Sequence, residues 1–425
     1  MWIIYYFIFT YQVKIMKKKI LIVSDYLDNI GGIETYIKNL KYILLDDYEV
    51  YYFWAKNLSK VKKLMFLIFS WNNFIYAKKL KDKIEEIKPD IIWFHSVSRF
   101  LWSKVVEQVK DFKWLKLMTY HDLWYFSLFA SEIYEEKQIP KKFNLIEFLK
   151  KSKKWKKLLP YSILKYLKLK KLRKVLNKYI DIHTVPSNFM KNYVQLLWYG
   201  WENVKVLPNF VDSNHLIERQ DIFQDKINFI FFGRLDTEKW FWQIIYFLSY
   251  LQDLKFTDRK LYTKIMKNIR IFIFWDWEKK ESLLDTFQWE DIIWKDIWII
   301  NDYSSKKDLL WLIDQNNKNI YYFWKRNFDE IKYFLSFSHY NLVPSLFLET
   351  FWLSAVEWAI NWLINIWYDK ENITNFILQD FKINFERSTK NFIYKLLKII
   401  NNHNIDERKK NSLESKKLVS EFVIK

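Results

Sequence analysis

The amino-acid sequence predicts an α/β protein built from two doubly wound domains. Three observations carry that prediction. Short apolar runs alternate with stretches of helical spacing, in two successive passes along the chain. The chain has 425 residues, too many for one ordinary domain. Its hydrophobic content of 51% lets each half bury a core and excludes disorder throughout.

In the first pass, KILIVSDY (19–26) is an apolar run ending in polar residues, and GGIETYIKNLKYIL (31–44) follows with helical spacing. YEVYYFWA (48–55), DIIWFHS (90–96) and LKLMTYHD (115–122) read as further strands. The second pass repeats the pattern with INFIFFGR (227–234), IRIFIFW (269–275), IYYFW (320–324) and YNLVPS (340–345). Strands alternating with helices build parallel sheets. The boundary between the passes is expected near Pro208, in VKVLPNFVDSN, and no solenoid repeat is present.

At the start of the chain, the charges follow the apolar run, whereas a secretory signal carries them in front. Met16 before KKKILIVSDY is a natural start, so residues 1–15 read as an upstream extension, with a weak membrane anchor as the alternative. No window approaches the ~18–20 apolar residues that cross a bilayer. The absence of cysteine excludes a disulfide framework and a Cys-based zinc site. It fits a cytoplasmic location. Residues 141–178 hold fifteen Lys and Arg against one acid, interleaved with apolar residues. That stretch reads either as a face for anionic membrane, which would allow peripheral contact, or as a solvated helix pair with an apolar inner stripe.

The net charge of +20 would suit nucleic acid, anionic lipid or anionic substrates. No recognised DNA or RNA module accompanies it, and nucleic acid is not the expected partner. Lys, Ile, Asn, Tyr and Phe are abundant, as an AT-rich coding sequence makes them, so part of the charge reflects codon bias.

Glycine and tryptophan are anomalous together. Glycine is ordinarily about 7% of a chain, which here means about 30 residues; there are four. Tryptophan appears 23 times, close to the missing number. AT-rich bias would deplete the UGG codon of tryptophan along with the glycine codons, but it tolerates UGA, which some bacterial lineages read as glycine. Many of the printed tryptophans are therefore expected to be glycine codons. The alternative is a lineage that reads UGA as tryptophan. Position decides between them: in LETFWLSAVEWAINW, Trp352, Trp358 and Trp362 stand among small residues.

Ligands of open α/β sheets bind beyond the carboxyl ends of the strands. Gly31 and Gly32 follow the first strand and open a helix, where backbone N–H groups and the helix dipole favour an anion. In FFGRLDTEKWFWQII (231–245), a strand leads to Gly233 and Arg234, with Lys239 before the next helix. Two cations at one helix start suit a diphosphate. A surface salt bridge with Asp236 or Glu238 is the alternative.

These segments resemble the family 4 glycosyltransferases of the GT-B fold, from about Met16 to Tyr368. The family's GRL…EKG stands here as GRLDTEKW, with Trp240 in the glycine position. Its GDG strand end stands as FWDWEKK, with Trp275 and Trp277 at both glycines. Its PS..ETFG…E…G signature stands as PSLFLETFWLSAVEWAINW, with Trp352 and Trp362 at glycines, and Trp324 matches another. One departure is Ile364, where the family has proline.

The resemblance implies two Rossmann-like domains facing a cleft. The acceptor-side domain would span 16–206 and the nucleotide-sugar domain 207–385, with C-terminal helices in 386–425 packing back on the first. Glu357 would bind the ribose of a nucleotide sugar, and Glu349, in the loop before the helix, the transferred sugar. Arg234 and Lys239 would offset charge on the leaving diphosphate. Ser345 and the backbone of Phe351, Trp352 and Leu353 would add phosphate donors. His121, and with less specificity His95, would lie near the donor sugar.

With no Asp-x-Asp, neither metal nor cofactor is expected. The implied activity is retaining transfer of a sugar from a nucleotide donor to a glycan or lipid-linked acceptor, in cell-envelope or exopolysaccharide synthesis. A catalytically silent GT-B scaffold binding glycan or a partner protein is the alternative, and it requires literal tryptophan at the glycine positions.

Overall fold

The computed structural model describes residues 17–27, 32–55, 71–126, 141–150, 159–197, 203–212, 216–220, 225–234, 242–276, 297–300, 313, 318–323, 328–343, 353–367, 389–402, 404–420 and 423–424. The chain divides into two compact units between Asp212 and Ser213. The break falls a few residues beyond the expected 206/207 because the connecting segment packs on the first unit. Phe210 is buried against Tyr36 at 5.0 Å between ring centroids. Its carbonyl accepts from Asn39 Nδ2 at 3.5 Å.

The first unit runs β1 (Lys18–Ser24), α1 (Gly32–Leu44), β2 (Tyr48–Trp54), α2 (Trp71–Ile87), β3 (Ile91–Phe94), α3 (Trp102–Val106) and β4 (Leu115–Thr119). It continues through α4 (Leu145–Lys150), α5 (Leu159–Tyr179), β5 (Ile182–Val185), α6 (Asn188–Leu196), β6 (Val204–Val206) and β7 (Val211–Asp212). Its six-stranded sheet has the order β2-β1-β3-β4-β5-β6, and the described pairings are parallel. Ile20 to Val23 are each at most 1% exposed, as a strand covered on both faces requires. Helix α1 buries Tyr36, Ile37, Leu40 and Leu44, a stripe at helical spacing. Ser187 caps α6 by accepting from the Met190 N–H.

The basic stretch 141–178 contains α4 and most of α5. Helix α5 turns Ser162, Tyr166, Leu169, Leu172 and Leu176 inward, so the inner-stripe reading describes its packing. Leu167 is 53% exposed on its outer side. No helix among the described residues is long and apolar enough to cross a membrane.

The second unit comprises β8 (Ile227–Arg234), α7 (Trp242–Thr257), α8 (Arg259–Asn268), β9 (Ile269–Asp276), β10 (Ile297–Ile300), β11 (Ile320–Phe323) and α9 (Phe328–Leu335). After these come β12 (Tyr340–Val343), α10 (Leu353–Ile360), β13 (Ile364–Trp367), α11 (Thr389–Asn401) and α12 (Ile405–Val419). The sheet order is β10-β11-β9-β8-β12-β13, again with parallel pairing. Its core is aromatic: Phe274 stacks on Phe323 at 4.7 Å and 7°, and Phe334 meets both edge-on. Helix α11 buries Phe392, Leu396 and Ile400, one face at i, i+4 and i+8, and packs on α7 and α8.

Strand order reverses direction between β1 and β3 in the first sheet and between β8 and β12 in the second. Beyond the carboxyl ends of the strands, such switch points form crevices.

Candidate functional site

At the first switch point, β1 runs on into Asp25, which is fully buried. Its carboxylate accepts from three consecutive backbone N–H groups after β3: Arg99 at 2.8 Å, Phe100 at 3.0 Å and Leu101 at 2.8 Å. The Asp25 carboxylate thereby fixes the loop that leads into α3 and presents Arg99. Burial pushes its pKa up to about 6, against the pull of the three N–H donors and of Arg99.

His95 follows β3 and His121 follows β4, and the structure brings the two together. His95 Nδ1 lies 2.9 Å from His121 Nε2, and the rings stack at 5.2 Å and 19°. Trp93 stacks on His95, and Tyr36 meets His121 edge-on. Burial pushes His121 down to about 3 and holds His95 well below the usual imidazole range, with His121 adding to the effect on His95. Both rings are therefore neutral at physiological pH, and one donates to the other. His95 Nε2 is buried without a hydrogen-bond partner among the described residues.

Outside this pair lies a cavity of about 230 Å³ lined by Tyr26, Arg99, Trp124, Tyr161, Lys165 and Lys168, among others. Arg99 lies over Trp124 at 4.7 Å and over Tyr26 at 5.5 Å. Lys165 Nζ lies 4.0 Å from the Trp124 ring centroid. Asp122 pairs with Arg99 at 3.7 Å and caps the 3-10 turn Leu123–Tyr125. Asp25, Arg99, Lys165 and Lys168 are not among the site residues expected from sequence. The polar end of VSDY was the one local signal for Asp25.

In the second unit, Gly233 and Arg234 are the last residues of β8, in register with Trp275 and Asp276 of β9. β8 lies beside β12 in parallel, so Arg234 and Val343 stand at the same, carboxyl end of the sheet. Leu353 begins α10, and Glu357 lies within that helix, half-buried. Gly32 begins α1, with open space where a Cβ would stand. Gly31, Lys239, Ser345, Glu349, Phe351 and Trp352 lie outside the described residues, as do Trp240, Trp277 and Trp324. Among the described residues no group of acids and histidines could hold a metal.

Trp362 ends α10 at φ 71°. Its N–H bonds the Ala359 carbonyl at 3.1 Å and the Leu363 N–H bonds that of Trp358 at 3.1 Å. That pair of bonds is the Schellman stop, whose left-handed residue is usually glycine. Among the described residues only Lys88, Trp102 and Trp362 combine a side chain with positive φ, and two of the three are tryptophan.

Residues 30–215 match the model of Glycosyltransferase Family 4. The match covers most of the first unit. No curated protein matches the sequence. Solved structures align along almost the whole chain. A sucrose-phosphate synthase from Thermosynechococcus elongatus has a TM-score of 0.61 at 11% identity, covering 96% of this chain and 95% of its own. A glycosyltransferase from Rickettsia africae gives 0.58 at 14% identity, covering 96% and 94%. HepE from Anabaena, in complex with UDP, gives 0.59 at 11% identity, covering 96% and 95%. At these identities the likeness establishes the fold, which is GT-B. The family 4 match places Asp25 just before its first residue, while Arg99, His95, His121, Lys165 and Lys168 fall within it.

Proposed function

We propose that this chain is a retaining, metal-independent glycosyltransferase. It would take a hexose from a nucleotide-sugar donor to a glycan or lipid-linked acceptor in envelope or exopolysaccharide synthesis. One observation carries the reading. In the second sheet β8, ending at Gly233–Arg234, lies beside β12, and α10, which holds Glu357, follows β12 in the chain, an order that agrees with the family's donor motif. The family 4 match and HepE's complexes with UDP and UDP-glucose support it.

In this reading Glu357 accepts from the ribose hydroxyls and Glu349 from the transferred sugar. Arg234 and Lys239 neutralise charge that grows on the diphosphate as the glycosidic bond breaks, assisted by N–H groups from Phe351 to Leu353 and by Ser345. Positioned charge of this kind does the work that a divalent ion does elsewhere. A neutral His121 can donate or accept a hydrogen bond at the donor sugar, but it cannot serve as a cation.

The reading includes glycine at Trp240, Trp275, Trp277, Trp324, Trp352 and Trp362. The φ of Trp362 supports this for that position, because a left-handed residue with a Cβ costs about 1–2 kcal/mol. Trp102, at φ 53°, joins them on the same ground. Trp358 does not: it is 2% exposed within α10 and meets Phe232 at 5.8 Å.

The test has two parts. Peptide mass spectrometry on protein from its native host reads residues 240, 352 and 362 directly, and tryptophan at all three would remove the recoding. Calorimetric titration of that protein with UDP-, ADP- and GDP-hexoses, with and without EDTA, then tests the donor site. Binding that EDTA leaves intact and Glu357→Gln weakens at least ten-fold is expected. Failure of every nucleotide sugar to bind would sink the enzyme reading.

A further inference from the structure

Trp93, His95 and His121 form a stack on one face of the first sheet. Trp93 and His95 are two residues apart at the end of β3, so they share that face. Their rings lie 5.3 Å and 26° apart, and those of His95 and His121 lie 5.2 Å and 19° apart. Tyr36 of α1 packs against both imidazoles, at 5.8 and 4.9 Å. The tryptophan end of the stack is pinned. The Trp93 indole N–H donates to Thr119 Oγ1 at 2.8 Å. Thr184 gives its proton to the Met118 carbonyl at 3.4 Å, so the 2.6 Å bond between Thr119 and Thr184 runs from Thr119.

The bond between the two imidazoles has a direction. Each ring is neutral and carries one proton, because burial holds both far below the usual imidazole range. His95 Nδ1 and His121 Nε2 lie 2.9 Å apart, so one of these nitrogens donates and the other accepts. If His121 donated, the proton of His95 would sit on Nε2, which is buried and meets no acceptor among the described residues. A buried N–H without an acceptor is rare, and a bare lone pair is tolerated more readily. His95 Nδ1 is therefore the donor. We infer that His95 is a positioning residue for His121: its Nδ1–H fixes the His121 ring and confines the His121 proton to Nδ1. Free histidine prefers the other neutral form, with the proton on Nε2, so the pairing holds His121 in the less common tautomer. Any hydrogen bond from His121 Nδ1 is then one it donates. What it meets rests on the transferase reading, in which the partner is a sugar oxygen that accepts.

The experiment uses the full chain, with nitrogen-15 in its histidine rings and no nucleotide, near neutral pH. Solid-state nitrogen spectra separate protonated from bare ring nitrogens, and the variants His95→Asn and His121→Gln assign the two rings by difference. In the parent, His121 is expected to be protonated on Nδ1 and bare on Nε2. His95→Asn, whose amide N–H can stand in for the Nδ1–H, should keep that pattern. His95→Leu has no donor and should move most of the proton to Nε2. Turnover then tests the positioning. With the nucleotide sugar that binds the chain, His95→Leu should lower kcat for release of the nucleoside diphosphate roughly ten-fold, with KM within about three-fold, and His95→Asn should recover most of the loss.

The inference is overturned if His121 carries its proton on Nε2 in the parent, if His95→Leu leaves the His121 pattern unchanged, or if His95→Asn loses as much turnover as His95→Leu. Should His95→Leu not fold, the parent and His95→Asn spectra decide it. Failure is separable from failure of the donor reading, because the spectra need no ligand. Nucleotide sugar bound by a chain with the wrong tautomer removes only the role of His95. The expected tautomer in a chain that binds no nucleotide sugar removes the transferase and leaves the pairing.

Discussion

The two sheets share a parallel, doubly wound plan, yet they place polar chemistry differently. In the first, the switch point is built from side chains at or just past the strand ends, and they are buried: Asp25, His95 and His121 are at most 8% exposed. In the second, the strands carry an aromatic core of Phe272, Phe274 and Phe323. Its polar candidates begin at the last residue of β8 and continue in the chain beyond β12. A site made of buried strand-end groups is also part of the core, so stability and binding change together there. A site carried beyond the strands can be altered with little cost to folding.

The largest effect should separate two tryptophans four residues apart. Trp358→Gly empties a core position inside α10 and should destabilise the second unit by about 4–6 kcal/mol, combining the loss of a large side chain with glycine's cost in a helix. Trp362→Gly relieves a left-handed backbone worth about 1–2 kcal/mol and gives up a cation–π contact of about 0.5–1 kcal/mol. The latter is the Lys416 ammonium 4.0 Å from the Trp362 ring centroid. Urea unfolding should therefore find Trp362→Gly neutral to stabilising, and a loss above about 2 kcal/mol would break the contrast.

Next in size is Asp25→Ala. It leaves three buried N–H groups without their acceptor and should cost the first unit about 3–5 kcal/mol in the same assay. Arg234→Ala should cost about 100-fold in transfer rate, or about 2.7 kcal/mol, while unfolding midpoints move little. An Arg234→Ala protein as unstable as Asp25→Ala would erase the distinction between the two sites.

The smallest effect is one of pH. In the unfolded chain His121 takes up its proton near pH 6.5, but in the fold only near pH 3. Between these values the unfolded state binds more protons. Its contribution to stability is therefore complete above about pH 6.5 and is lost as pH falls, at about 1.4 kcal/mol per unit. Asp25, raised to about 6, acts in the opposite sense between about pH 4 and 6. The difference between the parent and His121→Gln isolates the histidine: the variant's stability should fall less steeply from pH 7 to pH 5, and equal slopes would show that His121 titrates normally in the fold.

The long apolar strands were legible because each ends in a run of polar residues: β1 at Ser24–Asp25, β4 before His121, β8 at Gly233–Arg234. Strands β5, β6, β10 and β13 were not named. β5 carries a buried polar pair, His183 bonded to the Tyr120 hydroxyl and Thr184 to Thr119. Of the first site, His121 was legible as a strand-end histidine, but its ring contact with His95 depends on neighbouring strands. Arg99 and Lys165 meet across a cavity from segments more than sixty residues apart. Spacing along the chain carries no trace of that.

The left-handed stop at residue 362 works like a checksum on the gene. A dihedral angle is set by the hydrogen bonds that close a helix, not by the table that assigns letters to codons. Where the backbone favours glycine and the translated letter is the bulkiest of the twenty, the proposed recoding has a test that does not depend on sequence comparison. Among the described residues, positive φ marks Trp102 and Trp362 as candidate recoded positions, while Trp358 fills a core position within its helix. A synthetic gene with glycine codons at these two positions and at the other glycine positions of the proposed reading, and UGG at 358, is the version to express.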